Sequence, residues 1–388
     1  MAVINRISGF ADEMTAWRRH LHAYPELGLD CHQTAEFVVE KLREFGVDRI
    51  ETGVARSGVV AVIEGREPGR AIGLRADMDA LAMDDLTGAD HASRVPGRAH
   101  ACGHDGHTTM LLGAAKYLAE TRNYAGRAVL FFQPAEEGPG GARLMVEEGA
   151  LDRHDVAEVY ALHTLPGAPE GTFETTPGPI MAAVDTLHIN VLGQGGHGAM
   201  PHEARDPIPA AVAMVQAIQT IVTRDRDPLA DLVISVTQVH AGSADNVIPA
   251  RAYVGATIRT FAEDVREMAH RRLHEVAAGV AAAHGVGAEV RIDTGYPPTV
   301  NEAQATEFAT EIAREVAGET AVVADRTREM GAEDFAYMLV ERPGAYLFLG
   351  QGEGPGLHHP AFDFNDAVAP LGASFFARVV ERALPSGA

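Results

Sequence analysis

Hydrophobic residues recur along the first half of the chain in two alternating patterns. Apolar positions at helical spacing alternate with short, continuous apolar runs of the kind found in buried strands. The predicted helices span residues 13–21, 33–45 and 107–120, and the predicted strands span residues 59–63, 71–74, 128–133 and 156–162. Helices that alternate with buried strands are typical of an α/β domain, here with a mixed, mostly parallel sheet.

The pattern changes near Asp185, after the turn Pro177-Gly178-Pro179. Beyond this point the strand at 186–192 alternates apolar and polar positions, as strands with one exposed face do. The predicted order is strand 186–192, helix 208–223, strands 232–239 and 252–258, helix 263–283 and strand 288–292. This β-α-β-β-α-β order is typical of a ferredoxin-like α+β unit.

We therefore predict two domains, since 388 residues are many for one hydrophobic core. The larger α/β domain is discontinuous and comprises residues 1–183 and 297–388, and the ferredoxin-like domain is inserted as residues 184–296. The second part of the larger domain contributes helices at 303–316 and 332–339 and a strand at 345–349.

Composition and charge exclude several classes of protein. The formal net charge of −22 argues against a nucleic-acid partner, because phosphate binding needs a basic surface. No apolar run approaches the roughly 18 residues of a membrane span, so no membrane partner is expected. Two cysteines, Cys31 and Cys102, cannot form a disulfide framework, and the first 19 residues have no apolar leader pattern. We expect a cytoplasmic protein.

Residues 100–107 read HACGHDGH and place three histidines, one cysteine and one aspartate within eight residues. Cys102 and His104 are two positions apart and can turn to the same side of an extended or looping backbone. A thiolate and an imidazole suit a borderline-soft divalent ion such as Zn²⁺. One loop cannot supply a full ligand set, so further ligands must come from elsewhere in the chain.

Acidic residues follow two of the predicted strands. Asp77 and Asp79 lie at the carboxyl end of a strand, where ligands bind in open α/β sheets, although either could simply cap a turn. Glu136 and Glu137 follow the apolar strand at 128–133, where paired carboxylates are costly without a cation. Adjacent side chains on an extended backbone point apart, so one carboxylate would bind metal and the other would face a reacting water. The alternative is a solvated loop.

Histidines complete this pattern. His163 ends the predicted strand at 156–162, and His358-His359 lies in the loop beyond the strand at 345–349. Three successive strand ends or their loops thus carry metal-ligand residue types, which together predict a metal site at one edge of the sheet.

Other motifs carry less weight. Residues 193–198 match GxGxxG, but Pro201, Pro207 and Pro209 delay the helix that a dinucleotide site needs. His270 and His274 share a helix face without an acidic partner, so we expect a solvated surface there. No GxSxG motif occurs, which disfavours a serine hydrolase. Cys102 as a nucleophile with His partners stays an alternative.

Five segments together resemble the M20 metallopeptidase family, and most closely its aminoacylase and hippurate hydrolase-like amidohydrolases. They are HACGHDGH at 100–107, PAEEG at 134–138, ALH at 161–163, GGHGAMPH at 195–202 and MGAEDF at 330–335. The resemblance extends from about Trp17 to about Arg382. It is specific for the family and much less specific for the substrate.

The resemblance implies a two-metal site in the larger domain, with Cys102 as the shared ligand where many relatives use Asp. The other implied ligands are His104, Glu137, His163 and His358. Glu136 would be the general base, and Asp77 would orient a ligating His. His358 is favoured over His359 because LHxP is the form that the family motif takes here. His100, Asp105 and His107 would instead fix the loop and start its helix.

The inserted domain would be the lid and dimerisation domain of the family. His197 resembles the residue that reaches the site of a partner subunit and stabilises the oxyanion, although it could be a loop His with a structural hydrogen bond. Asn246, Arg259 and Gly331 resemble substrate-binding positions, with Arg259 suited to a carboxylate. The sequence departs from the family at Gly198, where Ala is frequent.

We therefore predict a metal-dependent amidohydrolase that cleaves N-acyl-L-amino acids, with hippurate-like substrates preferred. Two divalent ions per subunit are expected, Zn²⁺ or Mn²⁺, with Co²⁺ or Ni²⁺ possible, in a homodimer or higher homo-oligomer formed through the lid domain. The alternatives are a dipeptidase, a hydrolase of indole-acetyl or diaminopimelate conjugates, and a Cys-nucleophile amidase. A non-catalytic binding protein is disfavoured because such a protein has no use for an unligated base, Glu136.

Overall fold

The computed structural model describes residues 3–387 and divides them into two compact units. The first unit contains the chain up to Ile180, Thr299–Arg328 and the chain from Asp334 onwards. The second unit contains Met181–Pro298 and Glu329–Glu333. The last segment, which includes Gly331, was assigned from the sequence to the larger domain, but it groups with the inserted unit in the structure.

The strands are β1 Arg49–Val54, β2 Gly58–Glu64, β3 Glu67–Asp77, β4 Ala125–Gln133, β5 Val156–Leu165, β6 Phe173–Glu174, β7 Gly178–Met181, β8 Ala183–Leu192, β9 Gly196–His197, β10 Leu232–Ala241, β11 Val247–Ile248, β12 Arg251–Thr260, β13 Gly287–Thr294, β14 Thr299–Asn301, β15 Val322–Val323 and β16 Gly344–Gly350. The α-helices are α1 Asn5–Ser8, α2 Ala11–Ala23, α3 His32–Glu44, α4 His104–Thr121, α5 Gly141–Glu147, α6 Ala150–Arg153, α7 Pro207–Thr220, α8 Glu263–His284, α9 Ala303–Ala317, α10 Ala336–Glu341 and α11 Ala369–Ala383. Within residues 3–387, no helix combines the length and apolar character needed to cross a membrane.

The main sheet of the first unit has eight strands in the order β1-β2-β4-β3-β5-β16-β6-β15. Four neighbouring pairs are parallel, namely β3 with β4, β3 with β5, β5 with β16 and β6 with β15. The other three pairs are antiparallel. The prediction of an α/β fold with a mixed, mostly parallel sheet is confirmed. The strand β4 is parallel to β3 on one side and antiparallel to β2 on the other.

Two elements near the predicted metal loop differ from the sequence-based prediction. The helix α4 begins at His104 rather than residue 107, because Gly103 at its N-cap adopts φ 86°, a left-handed conformation that glycine reaches without steric cost. The strand β5 continues to Leu165, so His163 lies within the strand and not at its end. Both changes bring the candidate ligands onto regular, buried elements.

The second unit contains a four-stranded antiparallel sheet in the order β10-β12-β8-β13. Its elements follow the predicted order, β8-α7-β10-β12-α8-β13. The two helices bury apolar residues such as Met214 and Leu273 against strand residues such as Ile189 and Val254. Asp206 caps α7 by accepting a hydrogen bond from the Ile208 N–H at 2.9 Å.

His270 was expected on a solvated surface, and this prediction is wrong. Its side chain is one-quarter exposed, and its Nε2 lies 2.7 Å from a carboxylate oxygen of Asp185. The same buried carboxylate accepts two hydrogen bonds from Arg266. Local spacing could not reveal this contact, since Asp185 lies on β8, far away in sequence. His274, by contrast, is exposed as predicted.

Candidate metal centre and active site

The candidate ligands come from neighbouring strands of the main sheet and from the start of α4. Strands β4, β3 and β5 are adjacent and mutually parallel, so their carboxyl ends lie at one edge of the sheet. The segment after β4 contributes Glu136 and Glu137, β5 contributes His163, and the turn into α4 contributes Cys102 and His104. His358 lies in the loop that follows β16.

These side chains form two potential metal-binding groups that share one residue. Cys102, His104 and His163 form one group, and Cys102, Glu137 and His358 form the other, with ligand atoms within 4.8 Å of one another in each group. A further group, His104, Glu136 and Glu137, meets the same distance, so the assignment of Glu136 as base rather than ligand rests on the resemblance and not on this geometry. Cys102 Sγ lies 3.5 Å from His163 Nε2, and His358 Nε2 lies 3.0 Å from Glu137 Oε1. A thiolate, imidazoles and a carboxylate within this distance would suit divalent cations, and Cys102 could contribute to both groups.

His163 is held in the form that a metal ligand requires. Burial lowers its pKa well below the usual value, so the imidazole is neutral. Its Nδ1 donates a hydrogen bond to the Thr164 carbonyl oxygen at 2.7 Å, which leaves the Nε2 lone pair directed toward Cys102. Such an outer hydrogen bond fixes both the tautomer and the ring orientation of a ligand.

His104 shows that the site favours positive charge. It is completely buried, and within residues 3–387 its two ring nitrogens make no hydrogen bond of good geometry. Asp79 and Asp77 carboxylate oxygens lie 3.4 and 3.7 Å away. Burial alone would lower the pKa of His104, but these carboxylates raise it to about 10. A divalent cation would satisfy the same surplus of negative charge, so the donor set fits a metal.

The environment of Cys102 bears on the nucleophile alternative. Burial raises the pKa of its thiol well above the usual value, and the Glu137 and Glu136 carboxylates raise it further. A thiol nucleophile needs a lowered pKa, in an electropositive and partly exposed setting. Here the thiolate becomes stable only beside a compensating cation, as expected of a ligand.

Asp79 fixes the turn that carries the two glutamates. One carboxylate oxygen accepts the Glu136 N–H at 3.0 Å and the other accepts the Glu137 N–H at 3.1 Å. Ala135, just before them, adopts φ 60°, a strained conformation for a residue with a Cβ. The sequence placed Asp79 at the correct strand end but did not reveal this role, since backbone donors are not visible in a residue pattern.

Asp77 lies beside two histidines, and its nearer contact is with His107 rather than with the proposed ligand His104, whose Nε2 is 3.7 Å from Asp77 Oδ2. Its Oδ1 lies 2.6 Å from Nδ1 of His107, which is not a predicted ligand, and His107 Nε2 accepts a hydrogen bond from the Thr164 N–H at 2.9 Å. The completely buried Asp77 is also paired with Arg75 at 2.7 Å. Asp77 therefore acts on the backbone beside His163, rather than through a hydrogen bond to a ligand.

The loop after β16 distinguishes His358 from His359. His358 adopts φ 61°, and its N–H donates to the Ala101 carbonyl oxygen at 2.7 Å. This strained conformation turns its ring toward Glu137, and the Glu137 hydrogen bond raises the pKa of His358. The His359 ring instead accepts a hydrogen bond from the Ala361 N–H at 3.1 Å.

The remaining polar residues of the HACGHDGH loop are buried behind the ligands. The Asp105 carboxylate is 2.7 Å from His22 Nδ1 and 3.7 Å from Arg18. His100 is buried, and burial lowers its pKa to about 3. The sequence did not identify His22 and Arg18, which lie on α2 and reach the loop only in the folded chain.

The four candidate residues of the second unit form two local pairs. His197 on β9 and Asn246 are brought together, because the Gly198 N–H donates to the Asn246 carbonyl oxygen at 2.8 Å. Arg259 Nε donates to the carbonyl oxygen of Met330 at 3.2 Å, next to Gly331.

His197 has a local hydrogen bond of its own. Its ring is exposed, and its Nδ1 accepts the Ala199 N–H at 3.0 Å. This hydrogen bond agrees with the alternative that His197 is a loop residue with a structural role. It involves Nδ1 and not Nε2, so it is also compatible with a role for Nε2 in the reaction.

An α/β domain whose sheet edge holds two overlapping metal-ligand groups beside a further carboxylate has the architecture of a metallohydrolase. The model of peptidase family M20/M25/M40 matches residues 73–382. The chain belongs to this family, and it is a hydrolase that acts on amides with divalent metal ions.

Individual relatives agree with this assignment. The chain is 37% identical over 379 residues to the hippurate hydrolase of Campylobacter jejuni, covering 98% of each protein. It is 43% identical over 291 residues to an N-acyl-L-amino acid amidohydrolase of Geobacillus stearothermophilus, covering 74% of this chain and 78% of that protein. A solved Bacillus subtilis structure, described as a dinuclear metal binding peptidase of the M20 family, superposes with TM-score 0.86 at 32% identity, covering 97% of this chain and 99% of that one.

Proposed function

We propose that this protein hydrolyses the amide bond of N-acyl-L-amino acids of the hippurate type and releases a carboxylic acid and a free amino acid. The observation that carries the proposal is the pair of ligand groups that share Cys102, with Glu136 beside them on a turn fixed by Asp79. The relatives named for hippurate and for N-acyl-L-amino acids support this substrate class.

We further propose two divalent ions per subunit, held by Cys102, His104, Glu137, His163 and His358. A set of one thiolate, three imidazoles and a carboxylate suits Zn²⁺ best, with Mn²⁺, Co²⁺ and Ni²⁺ as candidates for reconstitution. When bound, such ions lower the pKa of water toward neutrality and polarise an amide carbonyl.

The residues of the chain supply the proton transfers and the positioning. Glu136 takes the proton from the attacking water and later delivers it to the leaving amine. Asp79 holds Glu136 in place through its backbone N–H. The resemblance assigns the substrate carboxylate to Asn246 and Arg259, a substrate-binding position to Gly331, and the oxyanion to His197 of the partner subunit. These roles, the homodimer and the cytoplasmic location remain predictions.

The proposal is tested by initial rates of the metal-reconstituted protein on a substrate panel. The panel contains N-acetyl, N-benzoyl and indole-acetyl amino acids, a succinyl-diaminopimelate and several dipeptides. The proposal predicts the highest kcat/KM on N-benzoyl or N-acetyl amino acids. Higher values on dipeptides, or on the indole-acetyl or diaminopimelate conjugates, would establish one of the alternatives instead.

The Cys-nucleophile alternative is tested by chelation. The proposal predicts that removal of metal abolishes turnover and that added Zn²⁺, Mn²⁺ or Co²⁺ restores it. Full turnover by the metal-free protein would establish the thiol mechanism.

A further inference from the structure

A cavity of about 380 Å³ adjoins the metal-ligand groups within the first unit. Two of the proposed ligands, Glu137 and His358, line it together with Asp79. Its other walls come from Leu27, Gly28 and residues 80–83. The cavity is therefore lined in part by the proposed ligand set and otherwise by two short segments of chain.

The two segments that form the walls are fixed to each other by their backbones. Leu27 and Ala80 form a parallel bridge, and the Ala80 N–H donates to the Glu26 carbonyl oxygen at 2.8 Å. Leu81 in turn bridges Ala99, and both Leu81 and Met83 pack against the main core. The cavity is therefore a preformed feature of the catalytic unit.

The chemistry of the walls is apolar. Leu27, Gly28, Ala80, Leu81, Ala82 and Met83 line it, and no lysine or arginine is among the lining residues in the described chain. The titratable residues in its lining are Asp79, Glu137 and His358, and the Asp79 carboxylate already accepts two backbone N–H groups. A free carboxylate placed against the apolar walls, away from the proposed ions, would lose its hydration without gaining a cationic partner. The occupant is therefore an uncharged, apolar group joined to the reacting amide.

Size restricts the occupant further. An apolar cavity of about 150 Å³ is enough to hold benzene. The cavity here is more than twice that volume, so the methyl of an acetyl group would leave most of it filled with water. A ring or a chain of several carbons would displace that water from apolar walls, which is favourable.

Building on the proposed function, we propose that this cavity binds the acyl group of the substrate, and that Ala82 and Met83 help to select aromatic and medium-length aliphatic acyl groups over acetyl and over acyl groups that end in a carboxylate. The other part of the substrate, the amino acid, carries the carboxylate that these walls cannot accommodate. The enzyme is thus a hydrolase of N-aroyl and N-alkanoyl amino acids rather than a deacetylase or a desuccinylase.

Ala82→Phe is the variant that tests this inference. Ala82 is exposed and lines the cavity, so a phenyl ring narrows it without disturbing the core. Leu86→Phe is the matched control, because Leu86 is exposed on the same segment but does not line the cavity. We expect Ala82→Phe to lower kcat/KM for N-benzoylglycine by at least about tenfold, the effect of losing a good apolar contact in a pocket. N-acetylglycine should change less than about twofold, and Leu86→Phe should leave both substrates unchanged.

A second substrate pair separates the acyl group from the amino-acid side chain. The inference predicts that Ala82→Phe leaves the ratio of kcat/KM for N-acetylphenylalanine and N-acetylglycine unchanged. If that ratio falls while the ratio for N-benzoylglycine and N-acetylglycine does not, the cavity holds the amino-acid side chain and the inference is wrong. Equal loss on all substrates also overturns it, because a general defect is not selectivity.

The affinity of the protein for the product acids, benzoate and acetate, tests the cavity assignment without requiring turnover. Calorimetry on metal-loaded protein should show that Ala82→Phe weakens benzoate by about tenfold or more and leaves acetate unchanged. If the wild-type protein hydrolyses no N-acyl amino acid yet shows this pattern, the cavity assignment stands and the proposed function fails. If benzoate binds no more tightly than acetate to the wild-type protein, the cavity assignment fails whatever the enzyme hydrolyses.

Discussion

Cys102 belongs to two of the groups that could hold a metal ion, and we therefore propose it as the ligand shared by two ions. Its thiol lies 3.5 Å from His163, and the Glu137 and Glu136 carboxylates that raise its pKa would be neutralised by two cations. A bridging position requires an anionic atom, and it does not require sulfur. Aspartate could therefore take over the role.

Cys102→Asp is expected to retain bound metal and a measurable part of the activity, whereas Cys102→Ala loses both. The physical reason is that a carboxylate can bridge two divalent ions and a methyl group cannot. Metal content by plasma mass spectrometry and kcat/KM are the readouts, with Cys31→Ala as the control for the other buried cysteine. If the thiol is instead a nucleophile, Cys102→Asp should show no turnover even when metal is bound.

Asp79 positions the turn that carries Glu136 and Glu137, a role that only the structure reveals. Both of its oxygens accept backbone N–H groups of the glutamate turn, and an asparagine can accept with only one oxygen. We expect Asp79→Asn to lower metal affinity or kcat by about 10–100-fold, as is typical for partners of metal ligands. Asp90→Asn, an exposed position on the following segment, is the control. Unchanged kinetics and metal affinity in Asp79→Asn would show that Asp79 has no positioning role in the site.

At the scale of elements, helix α8 is fastened to strand β8 by a buried ion pair. Arg266 on α8 donates to the Asp185 carboxylate at 2.8 Å, and His270 approaches the same carboxylate. Burial by itself would raise the pKa of Asp185, but the hydrogen bond and charge of Arg266 lower it below its ordinary value. A lowered carboxyl pKa stabilises the fold above the unfolded-state pKa of about 3.9, and this stabilisation is lost as the pH falls through the folded-state pKa.

Asp185→Asn is therefore expected to reduce the free energy of unfolding at pH 7 by about 3 kcal/mol, because it removes the buried counter-charge of Arg266 and leaves only the longer contact, 3.5 Å, with the exposed Glu263. The difference from the wild-type protein should shrink as the pH falls below about 3.9, where the aspartate of the unfolded chain becomes protonated, and vanish once the pH has fallen through the lowered pKa of the folded protein. Urea unfolding at several pH values measures both quantities, and His274→Asn on the exposed side of α8 is the control. A difference that does not vary with pH would show that the ion pair is not its cause.

The elements also show what the sequence could and could not predict. The strand ends that carry Asp77, Glu136 and Glu137 were identified because parallel strands place their carboxyl ends at one sheet edge, and this rule depends only on the order of elements. His163 was placed on the correct strand, but it lies within that strand and not at its end. The start of α4 was missed because the left-handed Gly103 and the buried first turn depend on tertiary packing. The Asp77–His107–Thr164 hydrogen bonds and the Asp185–His270 contact join residues that are distant in the sequence, and no local period encodes them.

At the scale of the whole molecule, the candidate residues are divided between two units. The first unit contains Asp77, the proposed metal ligands and Glu136, while His197, Asn246, Arg259 and Gly331 belong to the second. The resemblance to the family implies that His197 serves the site of a partner subunit. This proposal makes a homodimer a condition for activity.

Mixing two inactive variants tests the role of His197 in a partner subunit. After subunit exchange between His197→Ala and Glu136→Gln, activity should return to about a quarter of the wild-type rate, since half of the randomly formed dimers contain one intact site out of two. Each variant alone is the control, and native mass spectrometry confirms the exchange. Mixed dimers that stay as inactive as their parents would place His197 outside the reaction.

The central claim is that Glu136 is the base and not a ligand, beside two ions that share Cys102. The most direct test is the metal content of reconstituted wild-type and Glu136→Gln protein, measured on the same samples as kcat. The claim predicts two divalent ions per chain in both proteins, with kcat of the variant lower by at least about 100-fold, the scale of a lost general base. Loss of an ion together with activity in Glu136→Gln, or turnover kept at the wild-type level, would contradict it.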